Sequence, residues 1–166
     1  MQYTGKQIFE KGIVTGEMAP EQIQQQGIDV RIRSIRKLEY EIGRIPATGK
    51  TKIPKTRELS TSNDNMYYLS AGYYELEFEE GCNIPKDATM YFKTRSSLVR
   101  CGCTVESGQF DGGFHTEHMG AFLNATCPIM IEKGARVAQC IVHESYPVDT
   151  NSLYNGQWQN DCQRNS

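Results

Sequence analysis

The sequence predicts a mainly β protein, a barrel or sandwich, on the strength of three observations. Short runs of alternating apolar and polar residues recur about every ten residues from position 66 onward. Turn residues, chiefly glycine and proline, separate these runs. Helical periodicity is confined to the first 26 residues. Many short, evenly spaced strands with few helices are typical of all-β barrels and sandwiches.

Two short helices are expected before the first strand. Residues 4–12 suit a helix with Thr4 as its N-cap and Gly12 at its end. Pro20 fits the first turn of a second helix over residues 20–26, because proline lacks the N–H that this position does not use.

The strands are then predicted from period-two alternation. The run IDVRIRSI, at 28–35, alternates isoleucine and valine with charged residues. The run YYELEF, at 73–78, would turn its tyrosine, leucine and phenylalanine inward at alternate positions and point Glu75 and Glu77 outward. Further strands are expected in TMYFKT, MGAFLNA, PIMIEKG and RVAQCIV.

One domain is expected over residues 1–146, because 166 residues suffice for one hydrophobic core. Residues 43–65 are polar and basic and are interpreted as a long exposed excursion, with a hairpin as one possibility. Residues 147–166 are weakly patterned and are interpreted as a C-terminal arm.

Bulk properties argue against several partners and compartments. The net charge of −2 does not favour nucleic acid or an anionic membrane as a partner. No apolar run is long enough to span a bilayer, and the first residues lack the apolar core of a signal peptide. A cytoplasmic location is therefore expected, in the host cell if the chain is encoded by a virus. The six cysteines contain no CxxC pair and are expected to be reduced, mostly buried thiols.

The segment RSSLVR, at 95–100, has the residue types of a phosphate site. Arg95 offers a fork of donors for phosphate oxygens, and the hydroxyls of Ser96 and Ser97 add donors at close range. On a strand Arg95 and Ser97 would share a face, and a strand ending at Ser96 would free backbone N–H groups for an anion. A solvated arginine beside structural serines is the alternative.

A second candidate site follows at SGQFDGGF, 107–114. A turn containing Gly108 can expose backbone groups to a flat nucleobase. Asp111, next to Phe110, is predicted as a partly desolvated carboxylate that orients and deprotonates a water. Phe114 could stack on a sugar or base. The alternatives are an Asx-turn role for Asp111 and core packing for Phe114.

Other chemistries have weaker support. His115 and His118 would face opposite sides of an extended segment, and spacing places no third ligand, so a metal site is not expected. The chain lacks the P-loop pattern GxxxxGK[ST] and the HxE…PCxxC pattern of zinc deaminases.

Six motifs occur in an order that resembles the dUTPase/dCTP deaminase superfamily. They are GIDVRI at 27–32, RSSLVRCG at 95–102, SGQFDGGF at 107–114, FLN at 122–124, EKGARVAQCIV at 132–142 and YNGQ at 154–157. The N-terminal part and YNGQ are more similar to the dCTP deaminase branch than to the shorter classical dUTPases. The resemblance covers nearly the whole chain and explains residues 43–65 least.

The resemblance implies a distorted antiparallel β-barrel of the β-clip or jelly-roll type. It also implies a homotrimer with active sites between subunits, and a deoxynucleoside triphosphate, dUTP or dCTP, chelated by Mg²⁺. No direct protein ligand of the metal is implied, and Asp29 matches a supporting acidic residue.

Position by position, the resemblance assigns roles to the candidate residues. Asp111 matches the aspartate that holds the attacking water, and Phe114 matches the aromatic residue beneath the deoxyribose. The residues implied to bind substrate are Arg95, Ser96, Ser97, Arg100, Ser107, Gly108, Gln109, Phe110, Phe114, Gln139, Tyr154 and Gln157.

One departure from the deaminase pattern bears on the reaction. Deaminases of the superfamily have a glutamate ten residues after the aspartate, and that position is Ala121 here. A methyl group cannot transfer protons to an exocyclic amino group. Glu117 would replace it only through a bulge or a register change. The segment from Ser107 to Asp111 also resembles the A-G-x-I-D motif of dUTPases, and Gly108 matches the glycine of that motif.

The expected activity is therefore hydrolysis of dUTP to dUMP and pyrophosphate. A dCTP deaminase, with or without the hydrolase step, is the first alternative, and it retains Ser96 and Arg100, which help deamination in the superfamily. A non-catalytic nucleotide-binding regulator is the second alternative.

Overall fold

The structure, a computed structural model, describes residues 1–159 and is built almost entirely of short strands. Within these residues two helices, α1 (Gly5–Glu10) and α2 (Ser96–Arg100), accompany the strands. The strands are β1 (Val14–Thr15), β2 (Ile23–Gln24), β3 (Gly27–Leu38), β4 (Thr56–Glu58), β5 (Met66–Leu69), β6 (Gly72–Phe78), β7 (Gly81–Asn83), β8 (Ala88–Thr94), β9 (Cys103–Glu106), β10 (His115–Thr116), β11 (Gly120–Ala125), β12 (Ile129–Glu132) and β13 (Arg136–Glu144).

The largest sheet is antiparallel and nearly closes into a barrel. Its strands follow the order β8, β13, β3, β6, β11, β9, while β2 and β4 pair with β3. The two edges approach each other, because Val105 N–H donates to Thr94 Oγ1 at 2.8 Å. Next to that contact, Met90 of β8 pairs with Phe110. The predicted mainly β, barrel-like fold is confirmed, and full closure of such a sheet removes its exposed edges.

Strand β3 holds the barrel together because it changes partners along its length. Its first part, from Ile28 to Arg31, pairs with β13, and its second part, from Ile32 onward, pairs with β6. Both pairings shift register near the change of partner. Such bulges bend a strand and increase its twist, which a small barrel requires.

The core lies inside this barrel. The predicted inward residues of β3 and β6 are buried, including Ile28, Leu76 and Phe78, each with no exposed surface. The alternation of apolar and polar residues therefore located the core correctly on these two strands.

The polar faces of the same strands are only partly as predicted. Glu75 was expected to point into solvent, but its side chain is buried and 6% exposed. Glu75 lies opposite Arg36 of β3 and Phe122 of β11. The polar face of a strand is exposed to solvent only where no other part of the protein packs on it. Alternation of apolar and polar residues does not show whether another segment packs there.

The first predicted helix is confirmed. Helix α1 has Thr4 as its N-cap, and Gln7 completes a capping box with it. Gly12, just beyond the helix, has a φ of +61° that a residue with a side chain rarely adopts.

The second predicted helix is wrong beyond its first turn. Residues 20–22 form a 3₁₀ turn, and β2 follows at once. Here β2 pairs with the start of β3, and the side chain of Gln22 is buried and donates to Glu80 Oε1 at 2.7 Å. Tertiary contacts therefore override the helical preference of the glutamine run.

Residues 39–58 form an extended hairpin between β3 and β4, hereafter the 39–58 hairpin. Glu39 N–H donates to the carbonyl of Lys55, and Arg44 and Lys52 exchange both backbone hydrogen bonds, at 2.8 and 2.9 Å. Gly49, with a φ of +98°, lies at the tip. The hairpin that the sequence left as one possibility for residues 43–65 is therefore present, with paired residues at Arg44 and Lys52 and in β4.

Two further observations concern the whole described chain. Within residues 1–159, no helix has the length and apolar character needed to cross a bilayer. Cys82, Cys103 and Cys140 are buried free thiols, while Cys101 and Cys127 are exposed free thiols. The prediction for Cys162 lies outside the described residues.

Candidate active site

The segment predicted to bind phosphates is a helix rather than a continuing strand. Strand β8 ends at Thr94, and Ser96 and Ser97 begin α2. The amides of Leu98 and Val99 both donate to the carbonyl of Arg95, at 3.0 and 3.1 Å. Of the two arrangements considered from the sequence, the structure is therefore nearer to a strand that ends before the serines than to one on which Arg95 and Ser97 share a face. Both serine side chains are exposed at the start of the helix.

Arg95 is held by a buried carboxylate. Arg95 Nε lies 3.0 Å from Asp29 Oδ2, and Arg136 Nη1 lies 3.5 Å from the same oxygen. Gln139 Nε2 donates to Asp29 Oδ1 at 3.1 Å. These four residues, the Asp29 cluster, come from β3, β13 and the end of β8. The β3–β13 ladder places Asp29 directly opposite Gln139, so the sheet itself assembles the cluster.

The charge of Asp29 is buried while its arginine partners remain partly exposed. The Asp29 side chain is 1% exposed, and that of Arg95 is 31% exposed. Burial raises the pKa of the Asp29 carboxyl above its ordinary value, while Arg95, Gln139 and Arg136 act in the opposite direction. The short contact with Arg95 shows that Asp29 orients that guanidinium, which keeps free N–H groups for an anion.

A pocket of about 370 Å³ is lined by none of the four residues of this cluster. Apolar and aromatic groups dominate its wall, with a few polar groups among them, as in most small-molecule sites. The residues that line it are Ile53, Glu75, Ser107, Gly108, Gln109, Phe110, Asp111, Phe114, Thr116, His118, Gly120, Ala121, Phe122, Tyr154 and Trp158.

The predicted nucleobase turn forms one wall of this pocket. Phe110 is anchored to β8 by two backbone hydrogen bonds with Met90, at 2.8 and 3.0 Å. A side chain at Gly108 would meet no atom within 4 Å, so its backbone borders open space. A planar ligand can therefore approach the backbone groups at Gly108 directly.

Asp111 lines the pocket, but its surroundings differ from the prediction. Its side chain is exposed, and Gln109 Nε2 donates to Asp111 Oδ1 at 3.1 Å. The expected desolvation by neighbouring apolar groups is therefore not provided by this chain. The carboxylate remains free to accept a hydrogen bond from a water, which is the geometry that a general base needs.

Aromatic rings connect the barrel core to the C-terminal arm. Phe92, Phe110, Phe114 and Tyr154 form successive edge-to-face pairs, each with ring centroids 5.3 Å apart. Tyr154 N–H also donates to the carbonyl of Gly112 at 3.0 Å. The described part of the arm, residues 147–159, is therefore seated on the turn that carries Asp111.

The sequence-predicted residues thus fall into two groups within one chain. The pocket brings together residues 107–111, Phe114 and Tyr154. Arg95 and Gln139 belong to the Asp29 cluster instead, and the pocket wall also lacks Ser96, Ser97, Arg100 and Gln157. Arg95 lies five residues beyond Met90, the partner of Phe110, so most of β8, roughly 16 Å of strand, lies between Arg95 and the turn residues Phe110 and Asp111.

Ala121 and Glu117, the two positions that bear on deamination, differ in their relation to the pocket. Ala121 is 4% exposed and lines the pocket. Glu117, which follows the end of β10 at Thr116, is exposed and is not among the residues that line the pocket. Within one chain, position 121 in the pocket wall therefore carries a methyl group, and Glu117 lies outside that wall.

Several lining residues were not predicted as site residues. Glu75 was assigned to a solvated face, and Ile53 and Trp158 lie in segments without a recognisable pattern. Arg136 was part of a recognised motif, yet its contact with Asp29 was not anticipated. The burial of Glu75 on a polar strand face and the contact of Ile53 with the pocket depend on tertiary structure, which sequence patterns do not specify.

Comparison with protein families gives one match that covers most of the chain. The model of the family described as dCTP deaminase-like matches residues 4–145.

Similar proteins are found in several archaea. A deoxyuridine 5′-triphosphate nucleotidohydrolase of Methanocaldococcus jannaschii is 33% identical over 156 residues, which cover 92% of this chain and 93% of that protein. A probable deoxyuridine 5′-triphosphate nucleotidohydrolase of Methanosarcina acetivorans is 29% identical over 143 residues, covering 84% of this chain and 82% of that protein.

A solved structure shares the fold. The 2′-deoxycytidine 5′-triphosphate deaminase from Agrobacterium tumefaciens aligns with a TM-score of 0.66 at 16% identity. The alignment covers 86% of this chain and 48% of that one, so this chain spans about half of the solved chain.

Proposed function

Since this chain belongs to the dUTPase/dCTP deaminase superfamily, we propose that it hydrolyses dUTP to dUMP and pyrophosphate. The observation that carries the proposal is the pocket wall itself. Asp111 stands beside an open Gly108 turn, and a methyl group occupies position 121, where a deaminase has its glutamate. The names of the archaeal relatives support the same activity.

Asp111 is proposed to act on the attacking water. Its carboxylate accepts a hydrogen bond from the water and takes one proton as the water oxygen attacks the α-phosphorus. The bond between the α-phosphorus and the oxygen that bridges to the β-phosphoryl group breaks. The products are dUMP and pyrophosphate, and the base and deoxyribose would lie against Gly108 and Phe114.

The Asp29 cluster and α2 are proposed to bind the triphosphate. Arg95, oriented by Asp29, offers N–H groups to phosphate oxygens, and Gln139 lies beside it. The exposed hydroxyls of Ser96 and Ser97 add donors, and Arg100 adds charge at the end of the same short helix. Tyr154 and Gln157 of the C-terminal arm are proposed to close over the bound nucleotide.

Mg²⁺ is the proposed cofactor, and the described residues suit a metal held by the substrate. Residues 1–159 contain no group of three His, Cys, Asp or Glu side chains arranged to hold a metal ion. Asp29 is not a free ligand, because Arg95 and Gln139 occupy its two oxygens. Phosphate oxygens and waters are the ligands that Mg²⁺ usually keeps, and the ion would neutralise charge on the triphosphate.

The active unit is proposed to be a cytoplasmic homotrimer with sites between subunits. The separation of Asp111 from Arg95 by most of β8 supports this proposal. One copy would supply the pocket, and a neighbouring copy would supply the Asp29 cluster.

A panel of deoxynucleoside triphosphates tests the activity, with pyrophosphate and ammonia measured in the same reactions. We expect Mg²⁺-dependent pyrophosphate release from dUTP without ammonia release from dCTP. Asp111→Asn should reduce turnover by at least about 100-fold, because it removes the proton acceptor. Undiminished turnover in Asp111→Asn would contradict the mechanism. Tight binding without turnover of any triphosphate would favour a nucleotide-binding regulator.

Deamination of dCTP is the second candidate, and Glu75 is the observation that favours it. Glu75 is the buried carboxylate in the pocket wall, where it lies opposite Phe122, next to Ala121. A carboxyl group there could transfer protons to and from an exocyclic amine. Ammonia release from dCTP that is lost in Glu75→Gln, but retained in Glu117→Gln, would establish this candidate.

A further inference from the structure

The 39–58 hairpin contributes a residue to the pocket, although it was the segment that the superfamily motifs explained least. Ile53 lines the pocket and is half-buried. Two other isoleucines of the same hairpin, Ile42 and Ile45, are each 87% exposed and do not line it. Apolar residues of one ribbon therefore divide sharply between solvent and pocket.

Hydrogen bonds within the hairpin flank Ile53 on both sides. Arg44 and Lys52 exchange two backbone hydrogen bonds directly before Ile53. After it, Lys55 N–H donates to Glu41 Oε2 at 3.2 Å, and the Lys55 carbonyl accepts from Glu39 N–H at 2.9 Å. Backbone hydrogen bonds within the hairpin therefore lie on both sides of Ile53 and restrict its position.

The C-terminal arm meets the hairpin at the same place. Gln157 Nε2 donates to the carbonyl of Thr51 at 3.2 Å, two residues before Ile53. Tyr154 and Trp158, on either side of Gln157, line the pocket together with Ile53. The hairpin and the arm are therefore joined by a hydrogen bond, and both contribute residues to the pocket wall that includes Gly108.

We propose that the 39–58 hairpin is the seat of the C-terminal arm, and that Ile53 is a positioning residue for the arm. By stabilising the seated arm before substrate arrives, Ile53 raises the fraction of molecules that are ready to bind a nucleotide. A ligand's apparent affinity is reduced by the fraction of the protein that is not competent to bind it. The expected effect on KM rests on the proposed nucleotide hydrolysis. The expected effect on the position of the arm does not.

The first test needs no nucleotide, because Trp158 is the single tryptophan of the chain. Quenching of its fluorescence by acrylamide reports how well the arm is covered. Ile53→Ala should raise the quenching constant by at least half, while Ile45→Ala, the same change at an exposed position of the same hairpin, should leave it unaltered. Gln157→Ala, which removes the contact with Thr51, should raise quenching in the same direction.

The second test measures dUTP hydrolysis in the same variants. Ile53→Ala should raise KM about three- to tenfold and leave kcat nearly unchanged, since saturating substrate still closes the arm. The combined Ile53→Ala and Gln157→Ala variant should raise KM by less than the product of the single effects, because both changes release one element.

The outcomes separate this inference from the proposed activity. Equal quenching in wild type and Ile53→Ala, or equal increases in Ile53→Ala and Ile45→Ala, would overturn it whatever the enzyme hydrolyses. If no triphosphate were hydrolysed, a rise in quenching specific to Ile53→Ala would still support the seat. A fall in kcat with unchanged KM in Ile53→Ala would contradict the positioning role.

Discussion

Single residues show how a buried charge can support a surface site. Asp29 has almost no exposed surface, yet Arg95 and Arg136, which contact it, are each about 30% exposed. The carboxylate therefore fixes guanidinium groups that remain available to an anion. A surface arginine without such a partner would lose side-chain entropy each time it bound a phosphate.

Replacing Asp29 tests this role. Asp29→Asn keeps the shape of the side chain but removes the charge that orients Arg95, so we expect kcat/KM for dUTP to fall by up to about 100-fold. A steady-state assay measures this loss. Asp29→Glu should also lower kcat/KM, because an extra methylene in a buried site displaces the carboxylate from Arg95. An Asp29→Asn enzyme with wild-type kcat/KM would contradict the role.

The same substitution has a consequence for stability as a function of pH. Burial raises the folded-state pKa of Asp29 above its ordinary value of 3.8. In the window above pH 3.8 the folded chain binds more protons at this site than the unfolded chain, so its contribution to stability falls as pH rises through the raised pKa. Urea unfolding across the acidic range should show this fall in wild type and not in Asp29→Asn. Parallel curves would contradict it.

Cysteine reactivity provides a second test at this scale. Burial raises the pKa of Cys82 to about 12, and Cys140 is shifted in the same direction. In a Cys162→Ser background, DTNB should rapidly label two thiols of the native protein, and further replacement of Cys101 and Cys127 by serine should abolish this phase. Rapid labelling that persists in that variant would show that the buried thiols are accessible.

Among the elements, the β3–β13 pair determines the geometry of the phosphate side of the site. Gly27, at the start of β3, packs so closely that a Cβ there would overlap the carbonyl oxygen of Cys140 and crowd the side chain of Gln139. The strands approach each other closely because this position has no side chain. The register that places Asp29 opposite Gln139 depends on that approach.

Two glycine substitutions compare this element with the nucleobase turn. Gly27→Ala should lower the unfolding free energy by about 2–3 kcal/mol, because the barrel strands would have to move apart. Gly108→Ala borders open space and should change stability by less than about 0.5 kcal/mol. Urea unfolding measures both values.

Although Gly108→Ala should change stability little, it should have a clear effect on KM. A methyl group at this position occupies the space through which a base would reach the backbone, so KM for dUTP should rise. An unchanged KM would show that the turn does not approach the base.

At the scale of the whole molecule, the separation of the two groups of site residues leads to a prediction about mixed oligomers. Asp111→Asn and Arg95→Ala chains should each be inactive. When they are unfolded together and refolded as a mixture, some sites should combine an intact Asp111 with an intact Arg95 from another copy. Random assembly predicts about one quarter of wild-type activity.

As a control, the two variants are refolded separately and then mixed under conditions in which subunits do not exchange. This mixture should remain inactive. Sedimentation of wild type should give three times the chain mass. No recovery of activity in mixed oligomers would mean that each site is completed within one chain.

The sequence by itself determined the mainly β class, several of the longer strands with their core residues, and the superfamily. Alternation with period two identified Ile28, Leu76 and Phe78 as core, because the two faces of a strand differ whenever one of them is buried. The chemical roles of Arg95 and Asp111 remain predictions.

Only the tertiary structure decided what covers each face and which distant segments meet. It turned residues 20–26 from a helix into a turn and a strand, because β3 offered a partner for pairing. It buried Glu75 in a pocket wall, and it brought Ile53 and Trp158 to the same pocket. These outcomes depend on contacts between residues far apart in the chain, which no local pattern of hydrophobicity or turn residues can specify.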